Sequence, residues 1–201
     1  MIAVLTAALF AAAGWSGKVL GERLCAGRTP YAGGPQPIAA RHWPFPVAAA
    51  CIGLAVALRG EPPAQTALLA FIVLALAACA AADLACGALP DVLTLIPLAV
   101  VLGLGALRHD GSPALGAAFV AMPFAATALV SRGRGMGWGD VKLAALGGAL
   151  LGMRGAVPAF IVAAIAVYAV ARVSGGVRRP IAFGPYLAAS IAAALSITRT
   201  I

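Results

Sequence analysis

The sequence predicts an all-α, polytopic membrane bundle of about eight segments, with six to eight compatible and both termini outside the cytosol. Three observations predict it. Of 201 residues, 63% are hydrophobic and only 10% are charged. The mean hydropathy is +1.02, which excludes an ordinary soluble domain. The basic residues stand in small groups between apolar runs. That placement reads the net charge of +8 as membrane orientation signals and not as a nucleic-acid surface.

The elements follow in order. Residues 1–16 are apolar, and the first charge, Lys18, comes after the run. This fits a first membrane helix entering from outside better than a cleaved signal peptide. Residues 17–45 hold Lys18, Arg23, Arg28 and Arg41 among Pro30, Gly33, Gly34, Pro35 and Pro37, the pattern of a short basic cytosolic loop. A second apolar segment covers about 46–58, shorter than the roughly 20 residues of a perpendicular span. The third, about 66–82, ends at Asp83, and the loop 84–90 is closed by Gly87 and Pro90.

A fourth helix covers about 91–107 and a fifth about 114–130, joined by a turn at 108–113. The sixth is short and Gly-rich and ends near Met153; the seventh runs about 157–173 and the eighth 181–196. With loops alternating sides, ten of the 14 basic residues fall on the odd-numbered loops and their edges and four elsewhere, which puts the odd loops in the cytosol. The whole of 1–201 reads as one membrane-embedded domain.

The chemistry centres on acids, of which there are six. Asp140 closes the stretch Gly135-Met136-Gly137-Trp138-Gly139-Asp140-Val141-Lys142, whose glycines are expected to keep the backbone open for an approaching substrate strand. Under the topology above, Asp83 and Asp140 both lie at cytosolic ends of their segments and can share a cavity. Ionisable groups at such depths are costly and usually mark function. Two carboxylates in a low-dielectric site resist ionising together, so such a pair can draw a proton from water with one member and protonate a carbonyl oxygen with the other.

Asp91, directly after Pro90, fits an N-cap, with support of the site as its second reading. Lys142 reads either as a partner for a carboxylate or substrate or as a side chain reaching to the interface. Cys25, Cys51, Cys79 and Cys86 contain no C-x-x-C pair and only His42 and His109 offer imidazoles, so neither a metal nor a cofactor is expected. Cys25, Cys51 and Cys79 read as apolar packing residues or bystanders, and Cys86 is notable only for lying in the Asp83 loop. A small proton-coupled transporter using Asp83 and Asp140 as a relay is the alternative reading of the same acids.

Ala82-Asp83-Leu84, then Leu89-Pro90-Asp91-Val92-Leu93-Thr94, then Gly137-Trp138-Gly139-Asp140-Val141-Lys142-Leu143, resembles the type IV prepilin peptidases, intramembrane aspartic peptidases of the Gly-x-Gly-Asp class. Pro180-Ile181-Ala182-Phe183-Gly184-Pro185-Tyr186 resembles their last-helix motif. The resemblance implies that Asp83 and Asp140 are the catalytic pair, supported by Gly137, Gly139, Lys142, Pro90 and Asp91. Phe183, Gly184 and Pro185 would pack or break the helix beside the cavity without a chemical part.

It also implies an inner-membrane enzyme whose active site faces the cytoplasm and cuts the basic leader of a prepilin or pseudopilin. Many members of that family carry two zinc-binding C-x-x-C pairs in the first cytosolic loop and many methylate the new N-terminus. The first loop here has only Cys25 and nothing resembling a methyl-donor site, so a peptidase-only form without a zinc or methyltransferase domain is expected.

Overall fold

A computed structural model describes residues 1–26, 43–131, 136–173 and 182–198. Among the described residues the chain is all helical: α1 Ile2–Cys25, α2 Pro44–Arg59, α3 Pro63–Cys86, α4 Asp91–Leu107, α5 Ser112–Val130, α6 Trp138–Val173 and α7 Gly184–Ile197. Four of them, α1, α3, α5 and α6, are long and apolar enough to cross a membrane, and α2, α4 and α7 are shorter apolar helices. The 24 residues of α3 give a rod of about 36 Å, more than the hydrocarbon thickness of a bilayer. Arg28, Arg41, His42, Arg132, Arg134, Gly135, Arg178, Arg179, Pro180, Ile181 and Arg199, which entered the orientation or motif readings, lie outside the described residues.

The first correction concerns the basic loop. Helix α1 continues to Cys25, so Lys18, Glu22 and Arg23 are helical, and the connection is shorter than 17–45 at both ends. Two features carry the helix past the charges. Lys18 is fully buried and its ammonium lies 2.7 Å from both Glu22 oxygens one turn on, so the two charges compensate. Gly17 and Gly21 then let α1 close on α3, for a Cβ at either would lie 2.3 Å from a carbonyl oxygen, of Leu74 and Ala78 respectively. Close approach through small residues is how helices associate where lipid removes the hydrophobic drive between them.

Helix α3 is the most buried of the long helices and packs against α1, α7 and α4. It also runs one turn further than its apolar pattern suggests and stops at Gly87, whose left-handed φ of 65° lets its N–H reach the Asp83 carbonyl at 2.9 Å. The sixth and seventh predicted segments are the two arms of α6, broken at Gly152 with φ 62° and ψ 179°, a conformation nearly confined to glycine. The chain doubles back there. A Cβ on Gly147 would lie 2.7 Å from Phe160 Cζ, whereas one unbroken helix would hold those positions about 20 Å apart.

The turns fix which helix ends lie together. At one end of the bundle Arg59, closing α2, donates to the Leu195 and Thr198 carbonyls at the end of α7, at 2.8 and 2.5 Å. At the other end the first residue of α7 meets the last turn of α3. The rings of Phe124, Phe160 and Phe183 lie between α5, α6 and the start of α7, with centroids 5.5 and 6.5 Å from Phe124.

Candidate active site

Asp83 stands in the last turn of α3 after Ala80-Ala81-Ala82, all three buried, and is itself only 7% exposed. An unpaired carboxylate in such surroundings is costly, so its partners carry information. One is the start of α7: the Gly184 N–H donates to Asp83 Oδ2 at 3.0 Å. Phe183, Gly184 and Pro185 were expected to pack without a chemical part. Gly184 instead supplies a donor, and no side-chain letter announces a backbone N–H.

Asp140 lies in the first turn of α6, where its N–H donates to the Gly137 carbonyl at 3.1 Å. The two glycines before it have separate tasks. Gly139 is filled against, not open: a Cβ there would lie 2.7 Å from Leu89 Cβ, so its bareness brings the start of α6 down onto the turn between α3 and α4. Gly137 is exposed, and the space where its Cβ would stand lies 3.7 Å from Asp140 Oδ2. The expected opening for a substrate strand therefore fits Gly137 and not Gly139.

These contacts bring Asp83 and Asp140 to the same end of the bundle, Asp83 in the last turn of α3 and Asp140 one residue past the Gly139 contact with Leu89. Asp91 is nearby in chain and space but not as a cap. Pro90, itself buried, takes the N-cap position of α4, and Asp91 is the first helical residue with its carboxylate on Lys142 Nζ at 2.5 Å. Thr94 Oγ1 donates to the Asp91 carbonyl at 3.2 Å and leaves that carboxylate free for the lysine. Lys142 thus ties the start of α4 to the start of α6.

A second feature went unread in the sequence. Cys25 and Cys86 form a disulfide that joins the end of α1 to the last turn of α3, three residues beyond Asp83. The sequence reading put Cys25 and the Asp83 loop on the same side but gave no register between them; α1 continued to Cys25 against α3 supplies it. Cys51 and Cys79 are free. Among the described residues His, Cys, Asp and Glu do not gather in a group of three that could hold a metal ion. Between α2, α3 and α7 an apolar groove of about 310 Å³ is floored by alanines, and Leu84 and Pro185, the chain neighbours of Asp83 and Gly184, line it.

An apolar helical bundle that gathers two acids at one end, with glycines admitting the backbones around them, defines a membrane protein with a two-carboxylate site. Residues 69–172, just over half of the chain, match the model of the type IV leader peptidase family, and the chain belongs to that family. The matched region includes Asp83, Asp91, Asp140 and Lys142, and ends before α7. No match was found among curated proteins or among solved structures.

Proposed function

We propose that this protein is an integral-membrane aspartic endopeptidase that removes the leader of a type IV prepilin or pseudopilin, with Asp83 and Asp140 as the catalytic pair. The observation that carries the reading is that two carboxylates, far apart in sequence, are brought to one end of a bundle belonging to a leader peptidase family, Asp83 by the end of α3 and Asp140 by the start of α6 packed on the turn that follows it. One member takes a proton from water as the water attacks the scissile carbonyl, and the other protonates the carbonyl oxygen. The substrate expected is a basic leader followed by an apolar helix. The groove beside Asp83 suits that helix, since its lining is apolar and built on small residues.

The orientation follows the charge rule: the end bearing Asp83 and Asp140 faces the cytoplasm of an inner membrane, with both chain termini on the far side. The bilayer is the second partner, and the reaction as written uses no cofactor. Family membership favours this reading over a proton-coupled carrier. Co-expression with a prepilin tests it. Leader removal should appear with the wild type and disappear with Asp83→Asn and with Asp140→Asn, and cleavage that persists in both variants would exclude the proposal.

A further inference from the structure

Asp83 and Asp140 carry the same side chain, yet their surroundings differ. Gly184 opens α7, so its N–H is one of the donors at a helix start that find no carbonyl within their own helix. No side chain caps this helix, and Pro185, next in line, has no N–H to offer. The single N–H of Gly184 is given to Asp83 Oδ2 in a buried bond. The residue must be bare, because a Cβ at 184 would lie 2.7 Å from that oxygen and 3.1 Å from Cγ. Asp140 also stands at a helix start, where the dipole favours negative charge, whereas Asp83 meets the start of α7 but closes α3, whose C-terminal dipole opposes its charge, so the dipoles do not single out Asp83 as the charged acid. Burial of the donor does: Asp140 faces the exposed backbone of Gly137, where water competes, whereas the Gly184 to Asp83 bond is closed off.

Resting on the aspartic peptidase reading above, we infer that the Gly184 amide is a positioning group that divides the work of the pair. It holds Asp83 as the carboxylate that accepts the proton of water and leaves Asp140 as the carboxylic acid. An N–H can only donate, and a bond to a charged acceptor is roughly twice as strong as one to a neutral acceptor. With Oδ2 occupied, Asp83 Oδ1 is the oxygen turned to water. The oxygen of water bonds to the scissile carbonyl carbon as one of its protons passes to Asp83 Oδ1, and the proton of Asp140 passes to the carbonyl oxygen. The resulting gem-diol collapses: the amine nitrogen takes the proton from Asp83, the C–N bond breaks, and one diol hydroxyl returns its proton to Asp140. Both acids end as they began.

Exchanging the amide at residue 184 for a backbone ester, by incorporating glycolic acid, removes the N–H without adding a side chain. With a prepilin carrying its leader as substrate, kcat should fall about 10- to 100-fold, the range for a bond to a charged group, while KM stays within about twofold. A control ester at Ala193, inside α7, should leave kcat near the wild-type value. Gly184→Ala is the second probe and should lower kcat with KM retained. A 184 ester with wild-type kcat overturns the inference, as does an equal loss in the Ala193 ester or a Gly184→Ala effect confined to KM. An active Asp83→Asn variant overturns the inference as well, whereas a wild type that cuts no prepilin, or cleavage that persists in both Asp83→Asn and Asp140→Asn, overturns the proposed function.

Discussion

Replacing Lys142 by methionine should weaken the enzyme only slightly, although Lys142 lies two residues from a proposed catalytic acid. Positions i and i+2 of a helix do not share a face, so the Lys142 side chain leaves α6 in a different direction from Asp140. Its ammonium is 2.5 Å from Asp91 Oδ1, with the two side chains 29% and 62% exposed. At that distance the attraction in bulk water is about 1.7 kcal/mol. Ordering two side chains and screening by salt reduce exposed pairs to about 0.2–1 kcal/mol. If all of that were spent on holding the start of α6, kcat/KM would fall about 1.4- to 5-fold. The assay is prepilin cleavage in proteoliposomes by Lys142→Met, Asp91→Asn and the double variant. The double should be no worse than the weaker single, because both remove the same tether. A Lys142→Met enzyme as inactive as Asp140→Asn would refute the reasoning and place the ammonium in the chemistry.

Other parts of the molecule make separate predictions. Arg59→Ala should lower the thermal midpoint, since its two charged donors to the Leu195 and Thr198 carbonyls contribute about 1–3 kcal/mol in all. Glu61→Gln should cost less: Glu61 Oε1 is 3.9 Å from Arg59 Nε, a charge contact without a hydrogen bond. Asp110 accepts from the Ser112 N–H and hydroxyl, both at 2.9 Å, and these bonds hold its carboxyl below the usual carboxylate range. A depressed folded-state value means that its contribution is present above roughly pH 4 and fades as pH falls through that value. The midpoint of Asp110→Ala should therefore trail the wild type at pH 7 and converge with it at acid pH. Because the proposed orientation turns Cys25 and Cys86 toward the reducing cytoplasm, thiol titration of the denatured protein should find two fewer thiols after mild oxidation than after reduction, and Cys25→Ser should abolish the difference.

What the sequence revealed was carried by residue types with few alternative uses. Six acids in an apolar chain single themselves out, and Asp83 and Asp140 could be assigned to one end because loop charges record sidedness. The sixth segment, short and Gly-rich, was expected to end near Met153, next to Gly152, where the two arms of α6 meet. The end of α1 was misread for a physical reason. A hydropathy reading counts Lys18 and Glu22 as two costs, whereas a helix places them one turn apart, where each compensates the other. Asp91 was misread because Pro90 serves as the helix boundary that Asp91 was expected to supply.

The contacts that stayed hidden share a property. The Gly184 donor to Asp83 is 101 positions away and belongs to the backbone, so neither composition nor periodicity encodes it. The Cys25 to Cys86 link spans 61 positions and depends on the register of α1 against α3, which the loop reading did not supply. What the sequence does encode is permission for such contacts. Gly139 lets α6 begin against Leu89 in the turn that follows Asp83, and Gly184 lets α7 begin against Asp83 itself. Each glycine admits one helix start to the end of α3, and each start brings one element of the site, the second acid in one case and the hydrogen-bond donor in the other. The separation of the two carboxylates is therefore set by backbone packing at Gly139 as much as by the acids. A side chain at 139 would have to displace Leu89 or lift the start of α6, carrying Asp140 away from Asp83 while leaving both carboxylates chemically intact.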